Sequence, residues 1–414
     1  MLTVVPRGIV YHKLSDDIYS LAASLFARLN EDFYINEFEN QFSQYIGCKH
    51  SLAFPFARTA IYYALKAKDF PPGSEILMPP ITIKPILDIV LELKLKPVFV
   101  DIDPNTLCFD LDQLKKSNNS NTKAALFTYL FGMVPKLDDM TSYCKENDIF
   151  MIEDFSQCLN GKFDGKKVGG FGDVGIYSSS SIKTLDTYGG GLLVCNDDEL
   201  YKQLHDSQSK LKPPSRIQLI RKIITNLIRN LATQRIIFHT LVFPLLRLAS
   251  FFNPNSVQKH TGDRDKKMIK SLPDEWFTSY TSFQAKFGLK MLAKVEKEDK
   301  KRVSNVEYLK NNALNVNYPK GIKGADNVYW QFVAYFSSPK ETLAYFHSKK
   351  IDTSTTSLAK ISTLPSYPCQ GITPNADKLY NNGFFIPAYP GLHQKDLKHI
   401  AQSLNDITSS NLNL

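Results

Sequence analysis

The sequence predicts an α/β fold: a mostly parallel central sheet flanked by helices, followed by a smaller C-terminal α+β domain. Three observations carry that prediction. Short β-branched and aromatic runs alternate with helical patterns over about 150 residues, the rhythm of a layered parallel sheet. After residue 280 the run SFQAKFGLKMLAKVEKEDKKRVSNVEYLKNN reads as one long helix, and strand-like VYWQFVAYF and two shorter helical patterns near 340–349 and 395–405 follow it. The 414 residues are 43% hydrophobic and 22% charged, the balance of a globular chain long enough for more than one domain.

The elements follow in order. Residues 16–46 hold two amphipathic pieces, LAASLFARL and EFENQFSQYIG, the second ended by Gly47. SLAF leads to a helix at TAIYYALKA, and EILMPP leads to ILDIVLELK. PVFVDID runs into a loop, and AALFTYLFG into the helix LDDMTSYCKEN. IFMIEDF, VGIYSSS and GLLVCN complete the set. Residues 1–280 are expected to form a large domain, and residues 281–414 a bridging helix with a small domain. Sheets of this kind bind ligands at the carboxyl ends of their strands, so the residues just after each strand are where chemistry is expected.

Several function classes recede on composition. The opening MLTVVPRGIVYHKLSDD has no apolar core of signal-peptide length. The six cysteines, at 48, 108, 144, 158, 195 and 369, show no metal-ligand or redox spacing, and the histidines show none either. A reducing cytoplasm and no metal centre are expected. The formal charge of +9 is concentrated in one place. Residues 207–262 contain no acid and nine basic residues, and the rest of the chain is formally neutral. A basic isoelectric point confined to one segment is no argument for nucleic-acid binding.

The strand ends carry a coherent set. FPFARTA places Thr59 at a helix start, where backbone amides favour a phosphate. MIEDFSQC places Glu153, Asp154 and Gln157 after a strand. YSSSSIKTLDTYGGG puts Lys183 on a short connection between two buried strands. A phosphate seat, an acid, an amide, hydroxyls and an amine together suit pyridoxal phosphate: the lysine links to the cofactor, and a carboxylate keeps the pyridine nitrogen protonated.

These residues, with PVFVDIDPNTLCFDLDQL, IEDFSQCLNGKFDGKKVGGFGDVGIYSS and IPAYPGL, resemble the DegT/StrS family of sugar aminotransferases, pyridoxal phosphate enzymes of fold type I. The resemblance runs from about residue 16 to 200 and again from about 281 to 405. It implies that Lys183 is the Schiff-base lysine and Asp154 the partner of the pyridine nitrogen. It implies that Gln157 touches the ring hydroxyl and that Ser178 and Thr59 bind phosphate. It further implies a keto sugar on a nucleotide as substrate, an amino-acid donor such as glutamate, and a homodimer. Lys183 itself speaks against the family's dehydratase branch, which has histidine there.

Departures are visible. Arg58 stands where the family usually has a small residue, and Ile83 where an aromatic ring commonly stacks on the cofactor. The Asn-x-Arg pair that a partner subunit normally contributes reads Phe277 and Ser279 here. Arg58 is therefore expected to face the phosphate in place of the partner's cation.

The basic segment is an insertion relative to the family. RIQLIRKIITNLIRNLA has an apolar stripe at 217, 220, 224, 227, 228 and 231, with Arg216, Lys222 and Arg229 off it. IIFHTLVFPLLRLASFF, read as a greasy hairpin, is too short and interrupted to span a membrane. Contact with an anionic membrane face is one expectation for the segment, and packing on a partner subunit is the other. Because the five matched cofactor positions all precede residue 184, the insert is expected to be separable from the cofactor site. Two further functions stay open beside the sugar aminotransferase: amination of a membrane-borne ketone, and a non-catalytic membrane-docking protein on the same scaffold.

Overall fold

Strand-forming runs fall where the alternation places them, and the seven between residues 50 and 195 enter one sheet. The computed structural model describes residues 3–252, 269, 271–365, 367 and 371–409; Cys369, Lys259 and the last part of the basic segment lie outside them. Two helices open the chain, α1 (Leu14–Ser24) and α2 (Asp32–Ile46). Gly47 ends α2 with a φ of 89°, a left-handed cap that glycine adopts without steric cost.

Seven strands follow: β1 (His50–Phe54), β2 (Glu75–Met78), β3 (Lys96–Phe99), β4 (Thr122–Thr128), β5 (Phe150–Asp154), β6 (Val174–Ser178) and β7 (Gly191–Cys195). Their order in the sheet is β1-β7-β6-β5-β4-β2-β3. Only β7 runs against its neighbours; the other six strands share one direction. Both faces of the sheet are covered, which is why β5 reads as a continuous buried run rather than an alternating one. Successive residues serve opposite layers. Met151, Tyr177 and Leu192 enter one hydrophobic core, Ile152, Ile176 and Leu193 another. Truncating Ile152 to alanine would cost about 2–5 kcal/mol, because neither layer can collapse onto the gap freely.

The long helix Ser282–Asn312 leaves the first core and delivers Val306 and Leu309 to a third. There they meet the antiparallel pair Phe332–Tyr335 and Gly383–Ile386, and the helix Gln394–Thr408.

From Arg216 to Phe252 the basic segment is helical, apart from a break at Gln234. Its first helix, Arg216–Thr233, starts with a Ser215–Gln218 capping box. The face it turns to the protein is Leu219, Ile223, Asn226 and Asn230, while Ile217, Ile224, Ile228 and Leu231 face outward. The expected hairpin after it is instead a helical run over 235–252 with a π-type turn at Phe238–Val242. The reason is local: Gln234, extended at ψ 130°, breaks the chain direction, and no turn residue follows until Pro244, which the helix accommodates in its first turn. Arg235 anchors this run by a two-pronged ion pair to Asp396 and a bond to Thr3 Oγ1. Among the described residues no helix is long and apolar enough to cross a membrane.

Candidate active site

The carboxyl edge of the sheet collects Asp154 at the end of β5, Ser178 at the end of β6, and the start of α3 (Ala57–Ala67) just beyond β1. The reversed strand β7 begins at the same edge, with Gly191 opposite Ser178. A Cβ on Gly191 would stand 2.3 Å from the amide nitrogen of Ala57, so only glycine lets the strand pass that close to the helix start.

Lys183 sits on the connection from β6 to β7. Its backbone amide donates to Ser180 O, closing a tight turn. The preceding Ile182 has a φ of 71°, a costly conformation for a β-branched residue. Trp330 fixes this turn from outside: its Nε1 donates to Ile182 O at 3.1 Å, and its ring lies under the lysine amine at 4.0 Å. Burial pulls the amine down to about 8, and the charge of Asp154 is what opposes the fall. The two groups are thus close enough to act on each other. Asp154 is itself pushed upward by burial, with the Ser156 bonds and Lys183 pulling back. Among the described residues the Lys183 amine has no hydrogen-bond or ion-pair partner.

Gln157 is oriented by an unambiguous donor: its Oε1 accepts from Phe131 N at 2.7 Å, which leaves the NH2 end to donate. Ser178 Oγ bonds to Ser180 Oγ at 3.0 Å, and its amide donates to Ser156 Oγ. Ile83 is half-buried at the start of the helix Lys84–Glu92, after the short strand Ile81–Thr82.

Two expected residues are placed differently. The Thr59 hydroxyl is fully buried and donates to Trp276 O at 2.6 Å, and its amide closes on Phe56 O. With its hydrogen given to Trp276 O, the hydroxyl has none left to donate to a phosphate in this arrangement. Arg58 lies over Phe56 at 4.5 Å and Trp276 at 4.7 Å, held by aromatic faces. Phe277 packs on Tyr62, and Ser279 N donates to Lys212 O.

Glu153 precedes Asp154 but points to the other face of β5. It accepts from Tyr129 OH and from the amides of Gly169, Phe171 and Gly172. It holds the glycine loop that precedes β6 and stays out of the cleft.

Residues that sequence reasoning missed lie behind the lysine. Asn226 of the insert helix bonds Ser181 Oγ and donates to Asp186 Oδ2 at 2.8 Å. His12 bridges Asp17 Oδ1 at 2.8 Å and Asp186 O at 2.9 Å, and Asn230 and Tyr188 OH complete the shell of Asp17. Burial works against charge on His12, but Asp186 and Asp17 outweigh it and hold the imidazole above its ordinary value. On the other side, the buried pair Arg302–Asp299 grips Thr184. Nothing in local sequence marks Trp330, His12 or Asn226; a polar run of asparagines on the less apolar face of an insert helix was the one available hint.

The sequence profile of the DegT/DnrJ/EryC1/StrS aminotransferase family matches residues 27–212 and 278–405, and the interval between them falls on the insert. GDP-perosamine synthase from Caulobacter vibrioides is 31% identical over 183 residues, 44% of this chain and 49% of that protein. GDP-4-keto-6-deoxy-D-mannose 3-dehydratase from Yersinia pseudotuberculosis is 31% identical over 174 residues, 40% of this chain and 44% of that protein. The chain spans about half the length of the curated relatives it matches. The sugar aminotransferase CalS13 from Micromonospora echinospora superposes with a TM-score of 0.73 at 20% identity, covering 97% of this chain and 99% of that one, which shows a shared fold. With both segments of the profile matched and that fold around them, the chain belongs to the DegT/DnrJ/EryC1/StrS aminotransferase family.

Proposed function

We propose that the chain is a pyridoxal phosphate-dependent aminotransferase. It passes an amino group from an amino acid, glutamate by family habit, to a keto sugar on a nucleotide carrier, in polysaccharide or glycoconjugate assembly. The observation that supports this above others is the unpartnered amine of Lys183, lowered to about 8, within reach of the charge of Asp154 at the carboxyl edge of a parallel sheet. The donor set suits the cofactor. Lys183 is the amine for its aldehyde carbon, Asp154 the carboxylate for its ring nitrogen, and Gln157 the amide for its ring hydroxyl. Ser178 and the α3 amides supply donors for its phosphate. When bound, pyridoxal phosphate supplies an electron sink for charge developing at the substrate carbon. Lys183, with its value near neutrality, takes a proton from that carbon and returns one. Asp154 holds a proton on the ring nitrogen, and the Trp330 ring backs the lysine amine.

The perosamine synthase relative supports the sugar half of the reading. A homodimer and a cytoplasmic location belong to the same reading, by family habit. The outward apolar stripe of the insert helix favours a second reading, in which the ketone is membrane-borne and the insert rests on anionic lipid.

The test reconstitutes the protein with pyridoxal phosphate, reduces it with borohydride and maps the adduct by mass spectrometry. A mass shift on Lys183, absent in Lys183→Ala, is expected. Nucleotide keto sugars offered with glutamate should then gain an amine. An unmodified lysine, or loss of water from the sugar without amine gain, overturns the reading.

A further inference from the structure

Lys222 stands on the insert helix, in a segment the family profile leaves unmatched. It is half-buried and turned inward, unlike Arg221 beside it, which is exposed. Its amine lies over the ring of Phe56 at 4.6 Å. Phe56 is the residue on which α3 begins. On the opposite side, a Cβ built on Gly189 would meet Lys222 Nζ at 3.3 Å. Gly189 is two residues before Gly191, which abuts the first amide of α3 and pairs with Ser178. The lysine therefore ends between the residue that begins α3 and the glycine turn that leads into β7.

Burial pushes the Lys222 amine down to about 8; the charge of Glu275 opposes the fall, and that of Arg58, which shares the Phe56 ring at 4.5 Å, adds to it. Among the described residues Lys222 makes no hydrogen bond or ion pair. A desolvated amine without such a partner is costly unless an anion joins it.

We propose that Lys222 is a phosphate-binding cation of the cofactor site, supplied by the insert of the same chain where the family's partner subunit supplies an arginine. The inference rests on the pyridoxal phosphate reading above. It gives the insert a role in the site, and it places a second cation beside Arg58.

The experiment compares pyridoxal phosphate with pyridoxal, which lacks the phosphate, by equilibrium dialysis and by reductive trapping on Lys183. Wild type is compared with Lys222→Met, which keeps the packing over Phe56, and Lys222→Arg, which keeps the charge. The methionine variant should lose about ten- to a hundredfold in affinity for the phosphorylated form, the range of one charge-assisted bond. Its affinity for pyridoxal should be unchanged, and the arginine variant should recover most of the loss. Equal loss for both ligands means a structural lysine and overturns the proposal, as does full retention of phosphate discrimination in Lys222→Met. In either case trapping on Lys183 in the wild type leaves the cofactor reading intact. A wild type that traps neither ligand overturns the reading and the inference together.

Discussion

Strand β5 ends on two acids, and the pleat sends them to opposite faces. Asp154 looks into the cleft toward Lys183, and Glu153 looks back into four donors. Their amide variants should therefore fail in different ways. Asp154→Asn keeps its size and the cofactor bound but cannot hold the ring proton, so turnover should fall by about 10²–10⁴-fold with little change in the denaturation midpoint. Near-normal turnover would remove Asp154 from the site. Glu153→Gln offers one acceptor oxygen and an NH2 group to donors that are already aimed at it. It should cost about 3–5 kcal/mol, the scale for breaking a buried charged network, read as a shift of the urea midpoint. If Glu153→Gln unfolds like wild type and loses turnover instead, the assignment of the two acids is reversed.

The insert helix is legible at one level and hidden at another. Its apolar stripe was plain in the spacing, but the face it packs is set by groups far off in the chain. Asn226 and Asn230 read as surface residues until Asp186 and Asp17 are brought to them, and the same folding seats Leu219 and Ile223 in the first core. The strands were readable because period is a local property; Asp154, Gln157, Ser178 and Lys183 could be placed at strand ends or just after them, with roles that only the family resemblance implies. The Thr59 hydroxyl was not readable, because its acceptor, Trp276 O, is 217 positions away; Trp330 was not, because only the fold lays it under Lys183. The insert is thus bonded to the lysine loop rather than separable from it. Asn226→Ala should strip a buried carboxylate of a donor and cost about 1–3 kcal/mol, whereas exposed Ile228→Gln should stay within about 0.5 kcal/mol. The same cluster gives a pH signature. The His12 value is raised in the fold, so its contribution is fully present below about pH 6.5, the unfolded value, and is lost as pH rises through the folded one. The stability gap between wild type and His12→Gln, followed by thermal melts, should shrink from about pH 6.5 upward. A gap constant with pH would mean that His12 is neutral in the cluster.

At the scale of the molecule, charge and apolar surface coincide on one side. Ile224 and Ile228 are exposed, at 38% and 59%, and Tyr19 and Phe26 of the adjoining α1 region are at 72% and 87%. Arg221, Arg229 and Arg247 are exposed on the same insert, whose sequence carries no acid. An apolar stripe flanked by cations alone matches an anionic lipid surface better than water. Three arginines at roughly 1 kcal/mol each should favour anionic over neutral vesicles by about a hundredfold at low salt. High salt should remove most of that preference but leave residual binding, because apolar insertion is not screened. Deleting the segment would not test this, since Leu219, Ile223 and Asn226 belong to the core and the lysine loop. Ile224→Gln, Ile228→Gln and Leu231→Gln together change only the outer face. That variant should stay folded, keep reductive trapping on Lys183 and lose the salt-resistant part of vesicle sedimentation. If it sediments with vesicles like wild type but falls from dimer to monomer in sedimentation velocity, the outer face is where a second copy packs, and the lipid assignment is wrong.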